Sequence, residues 1–243
     1  MDFNKCSDET LIDIYRKGDE AAIEVLFERY KDIVRKKAKA MYLAGGDSDD
    51  LIQEGMIGLY KAVRDYDDTK EAALDYLKDQ ISGKKVAIGG SVTAQEMGLY
   101  EALSEKNEVI WHWKKAGRET LVEARSAEVY ITSANGVSKT GELVNIDGTG
   151  NRVSQTLFGP EKVYFVIGNN KVCPDLTSAM ERAKQIAAPK NAARLQVQTP
   201  CAKTGVCVDC NSPARICHSI AILERPSNGM EVEVVFVDEE MGY

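Results

Sequence analysis

The chain has 243 residues, of which 44% are hydrophobic and 28% are charged, and its formal net charge is −7. This composition supports one large domain, or a medium domain with a smaller companion, and argues against intrinsic disorder. The negative charge provides no general attraction to nucleic acid, so we do not expect DNA binding. No apolar run approaches the roughly 20 residues of a membrane span, and the N-terminus lacks the apolar core of a signal peptide. We therefore expect a cytoplasmic protein without membrane association.

Residues 8–66 carry only helical patterns, with apolar side chains recurring at spacings of three and four. Gly45-Gly46 ends one predicted helix, and the run Asp47–Asp50 can cap the next. That next helix, DDLIQEGMIGLYKAVRDYD, has one apolar and one charged face. We predict a small all-α segment over residues 1–70.

From about residue 71 the chain alternates between strand and helix patterns. The segments KKVAIGG, VIWHW, VYITSAN, KVYFVIG and EVEVVFVDEE predict strands, and periodic stretches between them predict helices. Residues 141–153 are rich in Gly and Asn and predict a loop. This alternation indicates a three-layer α/β domain with a mainly parallel sheet over residues 71–243.

Polar residues follow two of the predicted strands at their carboxyl ends, where open α/β sheets bind ligands. The first group is a Gly-Gly-Ser turn whose backbone N–H groups can approach an anion, although a tight strand–helix turn explains it equally well. The second is a dense polar run, which favours a ligand site over an ordered loop; its acids are candidate general bases, and its arginine can clamp a carboxylate or phosphate. The candidate catalytic residues are Glu142 and Asp147, and the candidate ligand-binding residues are Gly89, Gly90, Ser91, Thr93, Asn135, Asn145, Gly148, Thr149, Asn151 and Arg152.

Four of the six cysteines form a cluster with the spacing C-x5-C-x2-C-x6-C. Thiolates at this spacing suit either tetrahedral zinc or an iron–sulfur cluster, and reduced cysteines without a metal are the alternative. We assign a structural role to His112, which lies between two tryptophans on a predicted strand. The candidate metal ligands are Cys201, Cys207, Cys210 and Cys217.

The segment RYKDIVRKKAKAMYLAGGDSDDLIQEGMIGLYKAVRDYD resembles region 2 of RNA polymerase sigma factors, most closely the sporulation sigma-H type. The resemblance covers residues 7 to about 70 and implies docking on the largest polymerase subunit through residues 47–66. In the family the next segment forms the helix that melts and reads the −10 promoter element. Here the chain continues as ALDYLKDQISGKKVAIGG, so we expect a docking module or decoy without promoter recognition, or else an appendage without function. The implied docking residues are Asp50, Gln53, Glu54 and Arg64.

The second part of the chain is similar to the LUD-domain lactate-utilisation proteins. The similarity lies in VAIGGSVTAQEMGL, VYITSANGVSKTGELVNIDGTGNRV, IAAPKNAARL and TPCAKTGVCVDCNSPARICHSIAILERP. It implies a fold like that of sugar-phosphate isomerases and CoA-transferases, and a role in using L-lactate or another 2-hydroxy acid with iron–sulfur or oxidoreductase partner proteins. The sequence has no nicotinamide or flavin fingerprint. We therefore expect a metal- or iron–sulfur-containing accessory component of an oxidoreductase complex, fused to the sigma-like segment; whether the chain is itself an enzyme is left open.

Overall fold

The computed structural model describes residues 2–40, 48–64 and 69–243. The contacts between residues divide the chain into two compact units, residues 1–67 and residues 68–243. Within the described ranges, no helix combines the length and the apolar character needed to cross a lipid bilayer.

The N-terminal unit is helical, as its apolar spacing predicts. Ser7 caps its first helix by accepting the backbone N–H of Thr10 at 3.3 Å. Leu11 and Leu26 are almost completely buried and form the centre of a small apolar core. The helices of this unit are α1 (Asp8–Arg16), α2 (Ala21–Ala40) and α3 (Ser48–Arg64).

The second unit alternates between strands and helices. A single π-helical turn, Ala183–Ala187, joins two of its helices. The strands are β1 (Lys85–Ile88), β2 (Glu108–Trp111), β3 (Val129–Thr132), β4 (Gly136–Ser138), β5 (Leu143–Asp147), β6 (Lys162–Gly168), β7 (Val172–Cys173), β8 (Ser219–Leu223) and β9 (Glu231–Val237). The helices are α4 (Lys70–Gln80), α5 (Val92–Glu96), α6 (Leu99–Ser104), α7 (Arg118–Glu123), α8 (Asn151–Leu157), α9 (Leu176–Arg182), α10 (Ala188–Arg194) and α11 (Pro200–Thr204).

Five parallel strands form the main sheet, in the order β2-β1-β3-β6-β9. Their side chains alternate between the two faces, as the pleat of a strand requires. Val86 and Ile88 pack on one face with residues of α4, α5 and α6, including Leu77. Ala87 lies on the opposite face in a second apolar cluster that contains Leu143 of β5. The predicted α/β fold with a mainly parallel sheet is confirmed.

A second sheet, in the order β7-β4-β5-β8, covers part of that opposite face. In it β5 pairs antiparallel with β4 and β8, while β4 and β7 are parallel. The prediction of a loop over residues 141–153 is wrong, because this stretch contains β5 and the start of α8. The five residues of β5 are all buried, with Leu143 packed towards the main sheet and Val144 packed against helices, so the strand lacks the apolar–polar alternation of a half-exposed strand.

The chain changes direction in the main sheet at β1. It passes from β1 to β2 on one side and then returns to β3 on the other side of β1. In open α/β sheets, the crevice beyond the carboxyl ends of strands at such a reversal is the usual ligand site. The strand order therefore predicts a ligand site among the loops that follow β1, β2 and β3.

Candidate functional site

A cavity of about 280 Å³ lies beyond the carboxyl ends of β1, β2 and β3. Residues that are distant in the sequence line it, because parallel strands bring their carboxyl ends to one edge of the sheet. Most of the residues predicted to bind a ligand reach this cavity. Those lining it are Gly90, Ser91, Thr93, Asn135, Gly148, Thr149, Asn151 and Arg152, and the candidate catalytic residue Asp147 lines it as well.

The Gly-Gly-Ser turn packs closely beneath the cavity. A Cβ atom on Gly89 would lie 2.6 Å from Tyr130 Oη and 2.9 Å from Thr132 Oγ1, too close for either hydroxyl to stay in place, and 3.2 Å from Arg152 Cγ. Ser91 caps α5 by accepting the N–H of Ala94 at 3.1 Å. Gly89 thus leaves room for the side chains of β3 and for Arg152, and the Ser91 hydroxyl, although it lines the cavity, is already engaged by the helix.

Arg152 joins several loops at this edge of the sheet. Its guanidinium donates to Asn145 Oδ1 at 3.0 Å and to the carbonyl oxygen of Ile146 at 2.7 Å. Its Nε lies 3.9 Å from Asp147 Oδ2. Asn145 does not line the cavity itself; it is buried and positions the arginine.

Asp147 has a clear structural role at the start of α8. Its two carboxylate oxygens accept the backbone N–H groups of Thr149, Arg152 and Val153 at 2.9 to 3.2 Å. These three N–H groups hold the carboxylate in place at the start of the helix. The role of Asp147 as a general base stays a prediction, and the geometry supports an anchoring role.

Glu142 is not brought to the cavity. It follows β4 in the turn that leads to β5, where its carboxylate accepts hydrogen bonds from the hydroxyls of Ser138 and Thr140. The turn places it away from the carboxyl ends of the parallel strands. The expected catalytic role of Glu142 therefore has no support from its position.

Lys171, which sequence reasoning missed, is the most buried cation of the cavity, with a relative exposure of 2%. Its Nζ donates to Thr93 Oγ1 and to Ser133 Oγ, both at 2.7 Å. In the described part of the chain no Asp or Glu side chain forms an ion pair with it. The signal available in the sequence was its position three residues after the carboxyl end of the buried strand β6.

Burial is the largest of the effects that together lower the pKa of Lys171 to about 7; the positive charges of Arg182 and Arg152 act in the same direction, and Glu96 opposes them weakly. Arg182 is itself buried and donates to the backbone oxygens of Asn135 and Asn170. The hydrogen bonds described for the buried Lys171 and Arg182 go to hydroxyl and backbone oxygens, so their charge has no carboxylate partner among the described residues, which favours an anionic ligand.

The rim of the cavity combines aromatic and cationic groups. The guanidinium of Arg194 lies 4.8 Å from the ring centre of Trp113, and its Nε donates to Tyr243 Oη at 2.6 Å. His112 also lines the cavity. Burial lowers the pKa of His112, and the negative charge of Asp147 partly opposes this effect. Its position on the cavity wall goes beyond the structural role expected from the sequence.

The four clustered cysteines line a second cavity, of about 170 Å³, together with His218. All four are free thiols. Burial raises the pKa of Cys217, the other three cysteines raise it further, and Arg215 lowers it. Thiol donors suit zinc or an iron–sulfur cluster, but within the described ranges no three His, Cys, Asp or Glu side chains converge closely enough to hold a metal ion. The donor chemistry thus fits a metal, and the loop would have to tighten around it.

Helix α3 carries the residues implied in polymerase docking. Gln53 and Glu54 are exposed. The side chains of Asp50 and Arg64 lie outside the described residues. The apolar residue Ile57 is 41% exposed and Tyr60 is 40% exposed.

Two family models match the chain. The LUD domain model matches residues 63–237 and the Sigma-70 region 2 model matches residues 26–79. RNA polymerase sigma-H factors from Bacillus licheniformis and Bacillus subtilis (strain 168) are each 43% identical over 68 residues, which is 28% of this chain. The match spans only 30% and 31% of those two proteins.

Solved structures also resemble the chain. A DUF162 family protein from Deinococcus radiodurans is 10% identical, with a TM-score of 0.31, and the match covers 70% of this chain and 98% of that one. Ribose 5-phosphate isomerase A from Neisseria gonorrhoeae is 19% identical, with a TM-score of 0.30, and the match covers 44% and 54% of the two chains. At these scores the structural likenesses add nothing to what the strand order already establishes.

The lowered pKa of Lys171 predicts how the free energy of unfolding depends on pH. Because the folded chain releases this proton at about pH 7 and the unfolded chain near pH 10.5, the unfolded state binds more protons between these values. The free energy of unfolding of the wild-type protein should therefore rise with pH across this window relative to Lys171→Met, by up to about 1.4 kcal/mol per pH unit. Urea unfolding measured across the pH range tests this. Lys190→Met, which removes an exposed lysine, should leave the curve in place, and parallel curves for wild type and Lys171→Met would contradict the prediction.

Proposed function

Since the chain belongs to the LUD domain family, we propose that its second unit supports the utilisation of L-lactate or a related 2-hydroxy acid and binds the acid in the cavity beside Lys171. The observation that carries this proposal is the buried Lys171 amine, which lines the cavity without an ion-pair partner among the described residues. A buried cation is costly unless it is compensated, and the carboxylate of a ligand supplies that compensation.

The remaining lining groups suit the same ligand. Arg152 and Arg194 add positive charge, and the hydroxyls of Thr93 and Ser133 lie within hydrogen-bonding distance of the lysine amine. A 2-hydroxy acid carries a carboxylate and an adjacent hydroxyl, which need one cation and one hydrogen-bond partner. The chain then acts as an accessory component, alongside iron–sulfur or oxidoreductase partner proteins.

Lys171→Met and Arg194→Met should each weaken L-lactate binding by about 10- to 100-fold, because each removes a charged hydrogen bond or ion pair to the carboxylate. Isothermal titration calorimetry on the full chain measures this change. Arg225→Met removes an exposed arginine that does not line the cavity and should bind as the wild type does. The proposal fails if the wild-type protein binds neither L-lactate nor another small 2-hydroxy acid, or if the control variant loses affinity equally.

The cysteine cavity supports the metal-containing part of the proposal. Arg215 donates to the backbone oxygens of Cys210 and Cys217, at 2.6 and 2.8 Å, and so holds the loop that carries them. Cys201 and Cys207 line the same cavity. Burial and the neighbouring cysteines raise the pKa of Cys217. A cation bound there would stabilise the thiolate forms of its ligands. Either zinc or an iron–sulfur cluster would have this effect.

The full chain, purified without oxygen, should contain about one zinc ion or one iron–sulfur cluster. Elemental analysis distinguishes the two metals, and a visible absorption band accompanies iron. The double change Cys207→Ser and Cys210→Ser should remove the metal, whereas Cys6→Ser, in the other unit, should not. A metal-free wild-type protein, or a double variant with its metal content unchanged, would exclude this site.

A second function is proposed for the N-terminal unit: docking on RNA polymerase without promoter recognition. Its support is the Sigma-70 region 2 match together with the exposed polar side chains of Gln53 and Glu54 on α3. Since the chain spans less than a third of the sigma-H factors it matches, only the docking step is proposed.

Gln53→Ala combined with Glu54→Ala should reduce capture of the largest polymerase subunit by about tenfold, as expected for the loss of two polar contacts. Pull-down with purified RNA polymerase core enzyme measures this. A matched control, Glu20→Ala with Glu24→Ala, removes two exposed acids that lie outside the matched residues 26–79 and should retain binding. Equal capture of all three proteins, or no capture of the wild type, would count against docking through α3.

A further inference from the structure

We infer that Lys171 is a nucleophile whose amine forms an imine with the carbonyl carbon of a 2-oxo acid held in the cavity. The inference rests on the proposed function, because a 2-oxo acid is the oxidised counterpart of a 2-hydroxy acid and carries the same carboxylate. It adds a covalent step, and a residue that performs it, to a site otherwise described only as binding an anion.

The contacts of the amine leave its reactive electron pair available. A neutral amine has two N–H bonds and one lone pair, and Lys171 Nζ has two hydroxyl partners, Thr93 Oγ1 and Ser133 Oγ. The Thr93 hydroxyl donates its own proton to the backbone oxygen of Met241 at 3.3 Å, so it accepts from the lysine. With both N–H bonds engaged, the lone pair has no partner among the described residues, and the side chain lines the cavity.

The surroundings keep a large fraction of the amine neutral near physiological pH. Burial, together with Arg182 on α9 and Arg152 on α8, lowers its pKa to about 7, against the opposing charge of Glu96 on α5. Lysines that act as imine-forming nucleophiles are activated by desolvation and neighbouring cations of this kind. Arg152 and Arg194 remain charged and can hold the carboxylate while the amine attacks.

The step balances without an oxidant or a reductant. The nitrogen lone pair forms a bond to the carbonyl carbon, and one of the two nitrogen protons passes to the carbonyl oxygen to give a neutral carbinolamine. The hydroxyl group then leaves as water with the second nitrogen proton, and a carbon–nitrogen double bond remains. The Ser133 and Thr93 hydroxyls, which already bond to the nitrogen, are placed to pass these protons.

The test treats the full chain with pyruvate and then with sodium borohydride, which reduces an imine to a stable secondary amine. Mass spectrometry of the intact and digested protein should find one reduced pyruvate group on Lys171. The extent of trapping should rise as the pH passes about 7, because the neutral amine is the reactive form. L-lactate, which has a hydroxyl in place of the ketone group of pyruvate, should leave no adduct although it is proposed to bind the same cavity.

Two variants and a measurement of thermal stability distinguish imine formation at Lys171 from binding alone. Lys171→Arg keeps a positive charge and should lose the adduct, whereas Lys190→Arg, an exposed lysine outside the cavity, should keep it. If pyruvate and L-lactate raise the melting temperature but borohydride leaves no adduct, or leaves it only on surface lysines, the imine is excluded and the binding proposal stands. If neither acid stabilises the protein and no adduct forms, both fail. Mapping in the wild-type protein decides the question even if Lys171→Arg does not fold.

Discussion

The cavity depends on the way Arg152 holds the loops at one edge of the main sheet. Its guanidinium bonds to Asn145 and to the backbone of Ile146, both in β5, while its aliphatic part lies against Gly89 after β1. Asp147 fixes the same arginine from its backbone side by accepting its N–H. These contacts come from the second sheet and from the main sheet, so neither sheet alone would form the site. Since these bonds fix the guanidinium at the cavity wall, its positive charge is held in place for a ligand.

The interior of this site contains buried positive charges that are not paired with carboxylates of the described residues. Lys171 and Arg182 are both buried, and the hydrogen bonds described for them go to hydroxyl and backbone oxygens rather than to carboxylates. Neutral acceptors satisfy the N–H groups but do not cancel the charge, so the charge of Arg182 adds to burial in lowering the pKa of Lys171. The lysine responds by losing its proton easily, because an arginine does not lose one in proteins. Buried cations without carboxylate partners lower the stability of the free protein. They also favour binding of an anion or loss of the lysine proton, and such arrangements are common in active sites.

The sequence predicted correctly those features that follow from the local spacing of residues. The strand–helix alternation predicted the main sheet, and the polar residues after β1 and β3, such as Ser91 and Asn135, were expected at its carboxyl edge, where they lie. Lys171 was missed because a lysine after a strand is usually exposed; its burial comes from contacts with Thr93 and Gly242, each more than 70 residues away in the chain. The strand β5 was missed because it is buried on both faces and embedded in Gly- and Asn-rich sequence. In both cases the deciding contacts are long-range, and no local pattern encodes them.

The boundary between the two matched families shows how packing decides what a shared segment can do. The Sigma-70 region 2 model extends to residue 79 and the LUD domain model begins at residue 63, so α4 falls within both. In the structure Leu77 of α4 is completely buried, and Ala73 nearly so, in the core beneath the main sheet. Exposing these side chains would forfeit about 25 cal/mol for each Å² of apolar surface returned to water. Of the helices that the Sigma-70 region 2 match reaches, α4 therefore belongs by its packing to the α/β unit, whereas α2 and α3 belong to the N-terminal unit.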